Sequence, residues 1–167
     1  MKMIKFYDTC SLLLRANNLF DEEEQFVISS ITLEELENIK TSNSKDPDIK
    51  YAARKLLHIL DEHYGAYNVH IFKESMLEPI KEKDLSITND TRILATAYDY
   101  KNNYNNNIIF ITNDLALKNI ANLFFNNEYI MSIDEDIDDE YCGYKEIAFG
   151  NDAALEFFYT NYKKGHG

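Results

Sequence analysis

The stretch Met3-Ile4-Lys5-Phe6-Tyr7-Asp8 begins the pattern on which the fold prediction rests. It is a short, mostly apolar run, typical of a β-strand that is covered on both faces, and it ends at an acidic residue. Residues 8–14 then predict a first helix. A strand that leads directly into a helix is the repeating unit of α/β proteins, so this stretch favours that fold class.

Further apolar runs along the chain predict strands that alternate with helical segments. The clearest helix is predicted over 49–64, where apolar residues from Ala52 to Tyr64 recur at three- and four-residue spacing and form one buried stripe. The alternation predicts an α/β domain with a central, mostly parallel five-stranded sheet. The predicted strands are 3–7, 26–29, 69–72, 108–111 and 129–131, and the other predicted helices are 33–40, 90–101 and 115–124.

The length and composition predict one globular domain. The chain has 167 residues, 45% of them hydrophobic and 13% aromatic, which suffices for a sizeable core. We therefore expect a single domain over 1–167 with an acidic C-terminal segment at about 132–167. Only Cys10 and Cys142 are present, so we expect thiols rather than a disulfide scaffold or a cysteine-ligated zinc site.

The beginning of the chain and its apolar runs predict a cytoplasmic protein. No run approaches the roughly 20 apolar residues that span a bilayer, so no membrane partner is expected. The first eight residues also lack the long apolar stretch of a signal peptide.

The charge of the chain is strongly acidic but unevenly distributed. Lysine and arginine number 17 against 29 aspartates and glutamates, which gives a formal net charge of −12. Residues 128–156 contain ten acids and one base, and this stretch alone contributes −9. A broad basic face for nucleic acid is therefore disfavoured, whereas local phosphate contacts elsewhere are compatible with the charge.

Four carboxylates fall where the predicted strands end or the following helices begin. Asp8 ends the first strand, Glu35 lies in the helix after the second, Asp90 opens a later helix and Asp114 follows the fourth strand. In open parallel sheets the carboxyl ends of the strands border the ligand crevice, above all where the strand order reverses. We expect these four side chains to meet at that edge.

Two interpretations of these acids remain open from spacing alone. Aspartate and glutamate are favoured at helix N-termini, and Thr32-Leu33-Glu34-Glu35 is itself a capping-box sequence. Four converging carboxylates, however, repel one another, and no equal set of lysines or arginines lies at the neighbouring strand ends. A cation with hard oxygen ligands, one or two Mg²⁺ or Mn²⁺ ions, would resolve that repulsion.

The residues around the four acids resemble the PIN-domain nucleases. The similar stretches are FYDTCSLL (6–13), ITLEEL (31–36), NDTRILATA (89–97) and IFITND (109–114). The chain looks closest to the N-terminal PIN module of PhoH-type fusion proteins, on the further stretches ARKLL (53–57) and DEYCGYKE (139–146). One departure is Cys10, where similar sequences often carry asparagine or serine.

The resemblance implies a three-layer α/β/α sandwich and metal-dependent cleavage of single-stranded RNA, with single-stranded DNA as a further candidate substrate. It assigns the metal-binding and catalytic roles to Asp8, Glu35, Asp90 and Asp114. Glu35 is preferred to Glu34 because the second acid of the family immediately precedes a leucine. A homodimer is expected from the family. Fusion to or association with a PhoH-type ATPase is one arrangement that the resemblance offers and a lone PIN domain is the other, since the chain itself contains no Gly-x-x-x-x-Gly-Lys-Ser/Thr loop.

Five more residues are candidates for substrate contacts. Thr9, Thr112 and Asn113 lie beside the acids and could orient water or phosphate, while Arg92 and Arg54 could steer backbone phosphates. Local helix capping and solvated helix faces are the competing interpretations of these residues.

The main alternative function is a PIN-like module that binds RNA or protein without cutting. Nucleophilic hydrolysis is disfavoured because the chain lacks a Gly-x-Ser-x-Gly elbow, and its four histidines do not recur with a carboxylate at metal-ligand spacing. The intact set of four acids favours the nuclease over the non-catalytic module.

Overall fold

A computed structural model describes residues 3–21, 25–43 and 46–133 of the chain. Two predictions fall outside these ranges: the acidic C-terminal segment from residue 134 onward, and the thiol of Cys142. Cys10 is described, and it is a buried thiol as expected.

A central sheet is formed by five short strands: β1 (Ile4–Tyr7), β2 (Phe26–Ser29), β3 (Asn68–His70), β4 (Ile108–Ile111) and β5 (Ile130–Met131). All neighbouring strands pair in parallel, in the order β3-β2-β1-β4-β5. The predicted α/β class and its five strands are thereby confirmed. The strand predicted over 69–72 was wrong at its end, because the Phe72 N–H donates to Ser30 Oγ at 2.9 Å after the strand has ended.

The strands are connected by helices α1 (Thr9–Arg15), α2 (Ser30–Thr41), α3 (Pro47–Glu62), α4 (Glu78–Glu82), α5 (Asn89–Asn103) and α6 (Leu115–Ala121). The short α4 was not predicted. Helix α2 begins three residues earlier than residue 33, because Ser29 Oγ accepts the Ile31 N–H at 3.1 Å and caps the helix there. Within the described part of the chain, no helix combines the length and apolar character needed to cross a bilayer.

Alternate side chains of the sheet pack against two separate helical layers. Tyr7 and Ile28 point into a core formed with α1, α2 and α3, whereas Phe6, Val27 and Phe110 point into a second core formed with α4, α5 and α6. Neighbouring strand residues face opposite sides of a sheet, so apolar residues at consecutive positions are covered on both faces. The result is the three-layer α/β/α sandwich that the resemblance implied.

Helix α3 buries the middle of its predicted stripe but not the end of it. Ala53, Leu56 and Leu60 are at most 2% exposed, as expected for one apolar face. Tyr64, the last residue of the predicted stripe, is 89% exposed, so that part of the prediction was wrong. The helix ends at Glu62, and Gly65 follows with a φ of +91°, a backbone conformation that glycine adopts readily.

The strand order reverses between β1 and β4. The chain runs from β1 to β2 and β3 on one side, and then returns so that β4 pairs with β1 on the other side. Helices that leave neighbouring strands in opposite directions open a crevice at the carboxyl ends of those strands. The fold therefore places its most favourable ligand position at the ends of β1 and β4.

Candidate functional site

Asp8 lies directly at this reversal, at the end of β1. Its backbone N–H donates to Ile111 O of β4 at 3.2 Å, which fixes the residue between the two strands. The side chain is fully buried and caps α1, because Oδ1 accepts the Ser11 N–H at 2.8 Å. A helix N-terminus favours a carboxylate through its unsatisfied N–H groups and its dipole.

Glu35 of α2 contacts Thr9 of α1, the residue that follows Asp8 in the chain. Thr9 Oγ1 lies 2.6 Å from Glu35 Oε1 and 3.0 Å from Thr32 Oγ1, and all three side chains are buried. Thr32 and Glu35 therefore contact α1 instead of forming the capping box that their spacing suggested, because α2 begins at Ser30. Glu34 is exposed, so Glu35 is the inward-facing member of the glutamate pair.

Asp90 is the second residue of α5 and is 3% exposed. It does not cap the helix itself. Thr88 and Thr91 form the capping box, in which the Thr88 N–H donates to Thr91 Oγ1 at 2.8 Å and the Thr91 N–H donates to Thr88 Oγ1 at 3.2 Å. Because capping is supplied by the two threonines, the burial of Asp90 is not explained by that role.

Helix α5 is attached to the end of β2 by a buried pair of hydroxyls. Ser29 Oγ and Thr96 Oγ1 are 3.0 Å apart and both side chains are fully buried. This contact joins the helix that carries Asp90 to the strand that leads into the helix of Glu35. Neither hydroxyl was predicted from the sequence, where the polar Ser29-Ser30 pair at the end of an apolar run was the available signal.

Asp114 follows β4 and caps α6. Its Oδ1 accepts the N–H groups of Ala116 and Leu117 at 2.9 and 3.2 Å, and the side chain is 5% exposed. The Asp114 N–H in turn donates to Thr112 Oγ1 at 3.1 Å. The short connection after β4 is thus held by its own polar side chains, as is typical of strand-to-helix turns.

The five candidate substrate-contact residues fall into two groups. Thr9, Thr112 and Asn113 are buried at the carboxyl edge, where Asn113 Oδ1 also accepts the Ile133 N–H at 2.6 Å. Arg92 follows Asp90 by two positions in the chain and is half-buried, and its Nη1 donates to Asn89 Oδ1 at 3.0 Å. Arg54 is exposed on α3 and makes no hydrogen bond with the residues that the structure describes.

The donor chemistry of the four acids fits a hard divalent cation, because all four offer carboxylate oxygens. A further oxygen ligand is available close to Asp8, because Ser11 Oγ is buried and has no hydrogen-bond partner among the described residues. The positions of the side chains fit less closely. Within residues 3–21, 25–43 and 46–133, no group of three histidine, cysteine, aspartate or glutamate side chains could hold a metal ion. The elements meet at one edge, while Asp8 and Asp114 accept helix N–H groups and Glu35 accepts the Thr9 hydroxyl.

A comparison with protein-family models identifies the class of protein that this fold and edge define. The PIN domain model matches residues 6–124, a range that includes all four acids, the end of β1 and the whole of β2, β3 and β4. The chain therefore belongs to the PIN domain family. A search of curated proteins gave no match to it.

Membership in this family bears on function at a coarse level. PIN domains are typically nucleases and generally use divalent metals. Both properties agree with an edge that is rich in buried carboxylates, since phosphodiester hydrolysis needs groups that offset negative charge on the phosphate.

Proposed function

We propose that the protein is a metal-dependent endoribonuclease that hydrolyses phosphodiester bonds of single-stranded RNA. The observation that carries the proposal is the burial of Asp8, Glu35, Asp90 and Asp114, each at most 5% exposed, around the carboxyl edge of a PIN domain. Burying carboxylates is costly unless hydrogen bonds or cations compensate them, so their concentration at one edge favours a functional role.

In this proposal the four acids would hold one or two Mg²⁺ or Mn²⁺ ions, which requires their side chains to lie closer together than they do in the structure. When bound, such a cation lowers the pKa of a coordinated water and offsets the charge that develops on the phosphoryl oxygens. Hydrolysis adds water across the bond between phosphorus and the 3′ oxygen and leaves 5′-phosphate and 3′-hydroxyl ends. No nucleophilic side chain is required.

The contribution of the chain itself is to position the carboxylates. The Ser11 N–H orients Asp8, and the Thr9 hydroxyl orients Glu35. Two amides of α6 orient Asp114. Side chains held by such contacts need less reorganisation when charge develops in the transition state, and their burial strengthens every electrostatic interaction at the edge.

Single-stranded RNA is the proposed substrate, and single-stranded DNA is the second candidate. Arg92 beside Asp90 is the cation best placed to contact a backbone phosphate next to the acids, and Thr9, Thr112 and Asn113 would orient water or phosphate at the edge. Arg54 is exposed on α3 and would help to steer the backbone phosphates of the approaching RNA.

The wider organisation of the protein belongs to the same proposal. We propose a single PIN domain over 1–167 that acts in the cytoplasm, forms a homodimer and resembles the PIN module of PhoH-type fusion proteins, with fusion to or association with their ATPase as the corresponding partnership. Light scattering would report the homodimer as twice the chain mass of 19.5 kDa. A mass equal to one chain would exclude it.

The decisive experiment incubates labelled single-stranded RNA with the purified chain in Mn²⁺ or in EDTA. The expected result is cleavage in Mn²⁺ alone, lost in Asp8→Asn and retained in Asp46→Asn. Asp46 is a suitable matched control because it also caps a helix, with Oδ1 accepting the Asp48 N–H at 2.8 Å at the start of α3. Equal RNA binding without any cleavage would instead support the non-catalytic binding module.

A further inference from the structure

A second polar site lies at the carboxyl end of β3, outside the acidic edge. A groove of about 560 Å³ is formed by the end of β3, the 3₁₀ turn Glu74–Leu77 and the last turns of α5. The polar and aromatic side chains that line it are His70, Lys73, Ser75, Asp99, Asn103 and Tyr104. None of them belongs to the candidate residues described above.

The floor of this groove is formed by the His70 imidazole and the Asp99 carboxylate, which contact each other. His70 Nε2 lies 2.8 Å from Asp99 Oδ2, and Asn103 Nδ2 donates to Asp99 Oδ1 at 2.8 Å. The side chains of His70 and Asp99 are 14% and 24% exposed, so solvent reaches both. Because both carboxylate oxygens of Asp99 are engaged, the imidazole ring is held in one orientation.

Tyr104 forms an aromatic wall beside that floor. Its ring stacks on Tyr100 with centroids 5.4 Å apart at an interplanar angle of 19°, and it meets His70 edge-on at 5.0 Å. The side chain is nevertheless 69% exposed. An exposed ring that two neighbours hold in place is a pre-organised surface for stacking a planar ligand.

A cation completes the groove. Lys73 is exposed and follows β3 by three residues, and exposed Ser75 adds a hydroxyl. A planar stacking surface, a hydrogen-bonding floor and one ammonium group together match a nucleobase and its flanking phosphate.

The groove lies in line with the acidic edge. The register pairs Phe6 with Val27 and Ser29 with His70, so Asp8, Ser29 and His70 occupy successive positions across three neighbouring strands. With strands about 4.8 Å apart, His70 lies roughly 10 Å from Asp8 along this row. Asp90 and Tyr104 lie at opposite ends of α5, about 21 Å apart at a rise of about 1.5 Å per residue. A single RNA strand a few nucleotides long can therefore reach both places.

We propose that this groove binds one base of single-stranded RNA on Tyr104, with a neighbouring phosphate at Lys73, while the scissile bond lies at the acidic edge. The proposal rests on the proposed function for the identity of its ligand. It assigns a positioning role to His70 and Asp99, which hold the Tyr104 ring and each other in place and take no part in bond cleavage.

The test measures the affinity of a fluorescent single-stranded RNA for the chain in EDTA by anisotropy, so that no cleavage intervenes. Tyr104→Ala is expected to raise Kd by about tenfold, because it removes one stacking surface. Tyr104→Phe keeps the ring and should restore most of the affinity. Tyr64→Ala removes a tyrosine that is 89% exposed elsewhere and is expected to leave Kd unchanged.

A second measurement tests the phosphate contact through salt dependence. Lys73→Gln should lower the slope of log Kd against log salt by about one, because one fewer counterion is released. Wild-type affinity in Tyr104→Ala, or no RNA binding by the wild-type chain, would overturn the groove proposal.

A cleavage assay in Mn²⁺ separates the failure of the groove proposal from the failure of the proposed function. If Tyr104→Ala cleaves RNA with an unchanged KM, the groove proposal is rejected and the nuclease proposal stands. If RNA binding depends on Tyr104 but no cleavage occurs, the nuclease proposal is rejected and the groove proposal stands.

Discussion

At the scale of single residues, the acids of the carboxyl edge combine a structural contact with a proposed ligand role. Asp8 illustrates this, because Oδ1 accepts the Ser11 N–H while the whole side chain is buried. Asparagine is as good a helix cap as aspartate but carries no charge. Substitution by asparagine therefore separates the two roles.

Asp8→Asn should abolish metal-dependent cleavage and leave the melting temperature in EDTA equal or higher. The cap is preserved in this variant, and any repulsion between Asp8 and the other acids is removed. Calorimetry in EDTA together with the RNA cleavage assay checks both parts. A variant that melts several degrees lower would mean that the charge at position 8 is structural.

Thr9 provides a second prediction, because its hydroxyl contacts the Glu35 carboxylate at 2.6 Å. Thr9→Val should lower the free energy of unfolding by about 1–3 kcal/mol, since it removes a hydrogen bond from a buried charged group. Thr9→Ser should recover most of the loss. Urea unfolding measures the difference, and Thr41→Val is the control, because Thr41 is exposed and its hydroxyl donates only to Glu37 O. If Thr9→Val and Thr41→Val lower the free energy of unfolding equally, the contact between Thr9 and Glu35 has no special contribution to stability.

Tyr67 gives a prediction for alkaline pH. Burial raises the pKa of the Tyr67 phenol above its ordinary value of 10.0, and the charges of Asp61 and Tyr64 raise it further. The unfolded chain then loses this proton at lower pH than the folded chain. Stability from Tyr67 is therefore intact below about pH 10 and is lost as pH rises through the folded pKa.

Tyr67→Phe should accordingly lose less stability than the wild type between about pH 9 and 11. Parallel pH profiles of the unfolding free energy for the two proteins would contradict this assignment.

The approximate positions of the four acids could be predicted from the sequence, since Asp8 and Asp114 follow apolar runs and Glu35 and Asp90 lie near predicted helix starts. The contact between Thr9 and Glu35 could not, because it joins residues 26 positions apart through the packing of α1 on α2. The same limit hid the pair of His70 and Asp99, which are 29 positions apart.

At the scale of elements, helix starts depend on which side chain caps them. Helix α2 begins early because Ser29 caps it, and this moves Glu35 from a capping position to a buried one. The capping-box sequence at 32–35 was a correct local pattern, but a stronger N-terminal cap lay three residues upstream. Local propensity yields to such competition between neighbouring caps.

Helix α6 supplies the element-scale prediction. It has only seven residues, too few to be stable alone, and Asp114 caps it with two hydrogen bonds. Asp114→Ala should lower the free energy of unfolding by about 1 kcal/mol. Asp114→Asn should restore that stability without restoring cleavage. Chemical unfolding and the RNA assay distinguish the variants, and recovery of cleavage in Asp114→Asn would remove this carboxylate from the proposed metal site.

At the scale of the whole molecule, the order β3-β2-β1-β4-β5 brings residues from distant parts of the chain to one edge. The alternation of apolar runs predicted a parallel sheet, but not which strands are neighbours, because strand order depends on long-range packing. The order explains why the groove at His70 lies on the same edge as Asp8. The carboxyl edge then offers the proposed reaction site and the His70 end of the proposed base-binding groove.

The most direct test of the central claim is the melting temperature of the metal-free chain as Mn²⁺ is added. If the four acids hold the cation together, the wild type should gain about 5–10 °C at a Mn²⁺ concentration roughly 100 times its Kd. Asp90→Asn should gain much less, because it removes one negative charge from the proposed metal site and keeps the capping box that Thr88 and Thr91 form. Identical melting curves with and without Mn²⁺, or an equal gain in Asp90→Asn, would contradict the account.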